Sequence, residues 1–164
     1  MKRLQNTLRQ TQSSVLADLL SVPVKDRELA QRGFSLNAII LGLIPIGLLA
    51  VLFGPAGDAK TGSLIAAALQ LVVSAIAYRI ARSDRVRLAG YLFFGAFALL
   101  IAAYSVLNDG GLASLSTPYW LCFIVGGAAM VISGRAALYF AALNLLLLLG
   151  IAGFFPENYA RPDL

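Results

Sequence analysis

The chain has no histidine and only one cysteine, Cys122, in 164 residues. Without imidazole it offers no Ser-His base, no phospho-accepting histidine and no His-ligated metal or haem. One thiol forms neither an internal disulfide nor a Cys-rich metal centre. Cys122 stands in an apolar run beside Trp120, away from any base or cation, so a buried, inert thiol acting as a small hydrophobe is expected. Charge is scarce too: charged residues make up 13%, against roughly a quarter in an ordinary soluble domain.

Apolar residues take their place. Hydrophobic residues make up 59% of the chain and the mean hydropathy is +0.80. Residues 112–155 form two apolar runs, 118–133 and 136–155, joined through Gly134 and the lone charge Arg135. A domain of this size cannot bury so much apolar surface in water, so the expected class is all-α, a polytopic membrane helix bundle.

Five spans are expected, at about 36–53, 63–78, 88–107, 118–133 and 136–155. They divide the chain into a helical lead-in (1–32), a transmembrane bundle (33–155) and a short polar tail (156–164). The first apolar run starts near Leu36, after Asp18, Asp26 and Glu28, and exceeds the roughly 7 to 15 residues of a signal-peptide core, so it reads as an uncleaved span. Pro45, with Gly42 and Gly47 nearby, is expected to bend it. The fourth run is the shortest: 16 residues at about 1.5 Å each cover roughly 24 Å of a hydrocarbon core of roughly 30 Å, so a re-entrant segment is the alternative there.

In the lead-in, Leu4, Leu8, Val15, Leu19 and Val22 fall near one helical face, with Pro23 as a stop, Asp26 as a cap for 26–31 and Gly33 as a break. A solvated cytoplasmic segment fits better than a membrane-surface helix, because the face lacks Trp, Phe and a dense basic stripe. The 54–62 stretch reads as a turn-rich loop. The aromatics Tyr91, Phe93, Phe94, Phe97 and Tyr104 gather towards the ends of the third run, as interfacial belts do.

Positive charge assigns the orientation. With the N-terminus cytoplasmic, eleven of thirteen Lys and Arg residues lie on the inner side, leaving Lys60 and Arg161 outside. Arg79, Arg82, Arg85, Arg87 and Arg135 are the topology determinants, and the basic 79–87 loop reads as a retention signal in preference to a lipid head-group site. Cations that mark span ends in this way give no nucleic-acid face.

No Asp, Glu, Lys or Arg lies within the five spans, which removes the usual mark of a transport path or intramembrane catalytic site. No catalytic residue, cofactor or metal is expected. Gln70 and Asn144 lie near mid-span and read first as interhelical polar contacts, of order 1 kcal/mol each, and second as a ligand pocket. Asn108-Asp109-Gly110-Gly111 reads as a tight turn, and Asp109 alone supplies too few ligands for a cation.

With Asp26-Arg27-Glu28 and Arg32 ahead of the first span, the Arg79–Arg87 loop, Gly110-Gly111, a Pro118-led span and Gly134-Arg135-Ala136-Ala137-Leu138 before a leucine-rich fifth span, the chain resembles a known class of membrane region. It is similar to the N-terminal multi-pass input regions of bacterial sensors of the histidine kinase, diguanylate cyclase and adenylate cyclase types. The resemblance implies signal transduction in the bacterial cytoplasmic (inner) membrane by a non-catalytic region that anchors a receptor, pairs as a homodimer and relays a conformational bias, with any signal contact at Asn108, Asp109, Tyr119 and Trp120 and along Gln70 and Asn144. Such regions commonly have six spans before their signalling module. Five spans with an outer C-terminus therefore imply a C-terminal signalling module missing from this chain. Two other classes stay open: a small transporter or channel subunit, and a membrane-complex assembly subunit.

Overall fold

A computed structural model describes residues 15, 17–53, 58–107 and 116–154. Among these residues the fold is helical and contains no strand. The five long helices are α1 (Arg27–Phe53), α2 (Asp58–Ala81), α3 (Val86–Leu107), α4 (Ser116–Val131) and α5 (Gly134–Phe154). Four of them, α1, α2, α3 and α5, are long and apolar enough to cross a membrane. The 22 residues of α3, for example, reach about 33 Å. At 16 residues α4 is shorter than those four, in keeping with its short apolar run.

Helix α3 occupies the centre and packs against the other four. It makes its closest packing with α2, while α5 lies outside, against α4 and α3. The core runs along this axis: Leu36 and Ile40 from α1, Ala77 and Ala81 from α2, Ala89, Phe93, Phe94 and Ala98 from α3, Ile124 and Ala128 from α4, and Ala136 and Phe140 from α5. Elsewhere the helices present large apolar side chains outwards, including Ile65, Val72, Leu99, Leu146 and Leu149. Water would not tolerate that surface, whereas hydrocarbon costs it nothing.

Several local expectations are corrected. Gly33 does not break a helix; α1 runs through it from Arg27. Glycine is needed there for space, since a Cβ would lie 2.6 Å from Val22 Cγ2. Helix α2 begins at Asp58, inside the expected loop, because a helix continues past the apolar stretch into the polar zone unless proline stops it. Only part of the expected aromatic belt on α3 faces outwards: Tyr91 and Tyr104 are exposed towards the two ends of the helix, whereas Phe93 and Phe94 are fully buried, edge to face at 5.2 Å, and Phe94 packs on Phe140 at 6.2 Å. Phe97 also turns inwards, onto Trp120 and Phe123. Cys122 is exposed, not buried, because α4 turns Leu121, Ile124 and Ala128 to the core and Cys122 lies on the opposite side. Val15 and Leu19 are exposed as well, so of the described lead-in face only Val22 enters the core.

The short turns carry their own caps. At the α2–α3 turn Asp84 adopts a left-handed φ of 65°, a conformation that aspartate tolerates better than branched residues do. At the α4–α5 turn Ser133 caps α5, its Oγ accepting from the Ala136 amide at 3.1 Å.

Candidate functional site

Helices leave their last carbonyls unpaired, and at one end of this bundle long polar side chains supply the missing donors. The short helical segment at 17–20 ends by Ser21 and exposes the carbonyls of Leu19 and Leu20. Tyr78 of α2 donates its hydroxyl to the Leu19 carbonyl at 2.9 Å, and Asn37 of α1 donates Nδ2 to the Leu20 carbonyl at 3.2 Å. Val22 then fills the space above Gly33, and the same glycine faces Val86 at the start of α3. The 17–24 segment is thus strapped across α1 and α2, beside the start of α3.

Arg32 extends this network to the far side. Its guanidinium donates to the Ile132 carbonyl, just past the end of α4, and pairs with Glu28 one turn back on α1 at 2.6 Å. Glu28 is itself positioned by the start of α1, where its amide donates to the Asp26 carboxylate at 2.9 Å. One planar, multiply donating group therefore joins α1 to the α4–α5 turn, a task that suits arginine better than lysine. Above Tyr78, Arg82 donates to the hydroxyl at 3.1 Å and its guanidinium lies 5.8 Å from the ring centre.

Lys25, Arg27, Arg32, Arg79, Arg82, Arg85, Arg87 and Arg135 all lie at this end, with Asp18, Asp26, Glu28 and Asp84. Among the described residues only Arg32 has a carboxylate partner. Arg79, Arg82, Arg85, Arg87 and Arg135 are all exposed. No group of three or more Cys, Asp or Glu side chains that could hold a metal occurs among the described residues.

The other singled-out residues do not converge. Asn144 of α5 donates Nδ2 to the Leu121 carbonyl of α4 at 3.2 Å, an interhelical contact deep in the bundle. Gln70 stays within its own helix, reaching Ser74 Oγ at 3.4 Å. Asn37, Gln70 and Asn144 each retain a buried amide oxygen without a partner. Gln70 and Asn144 sit on α2 and α5, two helices that share no packed interface among the described residues. Tyr119 points outwards at 74% exposure, while its neighbour Trp120 packs edge-on against Phe97 and Phe123. Asn108 and Asp109 lie outside the described residues.

No family model, curated protein or solved structure matches the chain. The functional reading therefore rests on the geometry and the sequence. Arg32 and Tyr78 are the members of the site that span patterns pass over. The Glu28–Arg32 spacing of four residues was the available signal for the first; nothing in the sequence pairs Tyr78 with Leu19.

Proposed function

We propose that this chain is the membrane-embedded input region of a bacterial signal receptor, non-catalytic itself, which anchors and biases a cytoplasmic signalling module. In this reading all five helices count as spans, α4 with the help of the residues before it. The N-terminus and the basic end face the cytoplasm, the residues after α5 lie outside, and two copies pair. The observation that carries the proposal is the Arg32 bridge. It ties the first helix to the α4–α5 turn at the end where the N-terminal segment is strapped down. A shift of the α4–α5 hairpin, whose far end carries Tyr119 and Trp120, then moves α1 and the strap together. That is the coupling a relay needs, provided a stimulus favours one of two packings.

Three observations test it. Reporter fusions at Asp58, Asp84, Asp109 and Leu164 are expected to read outside, inside, outside and outside; an inside result at Asp109 overturns the topology. The gene and its neighbours are expected to encode a kinase or cyclase module. Saturable solute uptake by liposomes holding the purified chain alone would overturn the reading in favour of a transporter.

A further inference from the structure

The arginines at the basic end are not scattered. On α2 the exposed side chains Ile65, Leu69, Val72 and Ile76 follow a spacing of three and four, so they form one stripe, and the next position of that stripe is the exposed Arg79. On α3 exposed Leu88, Leu92 and Leu99 form a similar stripe, and exposed Arg85 lies in the turn immediately ahead of that helix. Helix α5 repeats it with Arg135 in line with Leu138, Tyr139, Leu146 and Leu149. Three helices thus carry an uncovered apolar stripe headed at the same end by an exposed arginine, and none of the three arginines has a carboxylate partner among the described residues.

The dimensions suit one class of ligand. From Arg79 to Ile65 the stripe runs fourteen residues, roughly 21 Å, longer than the roughly 15 Å depth of one leaflet's hydrocarbon. We infer that Arg79, Arg85 and Arg135 with their stripes are binding sites for anionic phospholipids, the phosphate on the guanidinium and an acyl chain along the helix. The guanidinium matches phosphate geometry through paired donors. A soluble phosphate, an acidic peptide or a nucleic acid would use the cation but leave the stripe without purpose. The inference requires only that the bundle lie in a bilayer and is independent of any sensory role.

The test places the purified full chain in phosphatidylcholine bilayers with traces of chain-labelled phosphatidylglycerol or phosphatidylcholine, and compares the protein-immobilised fraction of each by spin resonance. Phosphatidylglycerol is expected to be favoured about fivefold at low salt, the equivalent of about 1 kcal/mol for a cation at the headgroup, and to lose most of that preference at high salt. The double variant R79Q/R135Q is expected to fall to about twofold. K25Q/R87Q removes the same charge from positions that head no long exposed stripe, since Lys25 precedes α1 and the line from Arg87 turns inwards at the buried Phe94 and Ala98, and is expected to stay near fivefold. Equal losses in the two double variants would overturn the proposal, leaving only the diffuse potential of a basic end. Displacement of the labelled lipid by inorganic phosphate at constant ionic strength would also overturn it. Unchanged immobilisation of phosphatidylcholine in each variant shows that the bundle is intact. The salt titration of the unaltered chain is an arm that needs no variant, and a preference that ignores salt refutes the phosphate contact. If neither lipid is immobilised, residence in the bilayer fails and the proposal with it.

Discussion

Two adjacent glycines of α4 allow the packing argument to be tested with one methyl group. A Cβ on Gly127 would lie 2.5 Å from Cε1 and 2.6 Å from Cζ of Phe94, whereas a Cβ on Gly126 meets nothing within 4 Å. The Phe94 ring has nowhere to go: it is fully buried between Phe93 and Phe140. Replacing glycine by alanine in a helix gains up to about 1 kcal/mol from backbone propensity, and overpacking a filled site costs about 1–3 kcal/mol. Gly126→Ala is therefore expected to be neutral or stabilising by up to about 1 kcal/mol. Gly127→Ala should destabilise by about 1–2 kcal/mol. Unfolding in mixed micelles by added dodecyl sulfate reads the difference, with Trp120 as the probe, since its ring packs 5.6 Å from Phe97 across the same α3–α4 interface. Adding Phe94→Leu, which withdraws the ring edge, should recover part of the Gly127→Ala loss, with a coupling of about 1 kcal/mol or more. Matching midpoints for the two alanine variants would refute the packing of α3 on α4 described above.

Arg32→Ala is expected to cost about 1–2 kcal/mol, most of it from the uncapped Ile132 carbonyl, because the exposed Glu28 partner contributes little on its own. Amide exchange at Ser133 should quicken, and Arg32→Lys should rescue only partly; full rescue by lysine would contradict the two-acceptor geometry. Gly33→Ala should lift Val22 and the 17–24 strap, speeding proteolysis there, and because the new Cβ also lies 3.2 Å from Cγ2 of buried Val86 it should lower the bundle's unfolding midpoint as well. An unaltered cleavage rate would show that the strap does not depend on this contact. At the α2–α3 turn, Asp84→Gly is expected to be neutral or slightly stabilising and Asp84→Val to cost about 1–2 kcal/mol, since φ is 65° there; equal thermal stabilities would argue against the left-handed turn.

Helix positions were legible because breaks in apolarity and turn residues coincide with helix ends: α3 ends at Leu107, ahead of Asn108-Asp109-Gly110-Gly111, and α5 starts beside Ser133 and Arg135. The strap was not legible. Its contacts join Leu19 and Leu20 to Tyr78 and Asn37 through backbone carbonyls, which carry no side-chain signature. Among the aromatics of α3, the tyrosines face outwards and the phenylalanines inwards, and composition does not separate them because a phenylalanine near a span end suits a belt and a core equally well. Gln70 and Asn144 looked alike in sequence, yet Asn144 meets a neighbouring helix and Gln70 its own Ser74, a difference set by helix rotation alone.

By itself the sequence determined the material of this protein: helices long and apolar enough for a bilayer, no histidine, no Asp, Glu, Lys or Arg within the apolar runs, and cations gathered where those runs end. Each of these follows from transfer energetics, which depend on residue type and position along the chain. Only the tertiary structure decided which side of each helix faces its neighbours. In water that side would be marked by alternation of polar and apolar residues, but lipid and protein interior are equally apolar, so the periodic signal that distinguishes them vanishes. Phe94 inside, Cys122 and Leu146 outside, and Arg32 over the end of α4 are therefore consequences of shape and close packing.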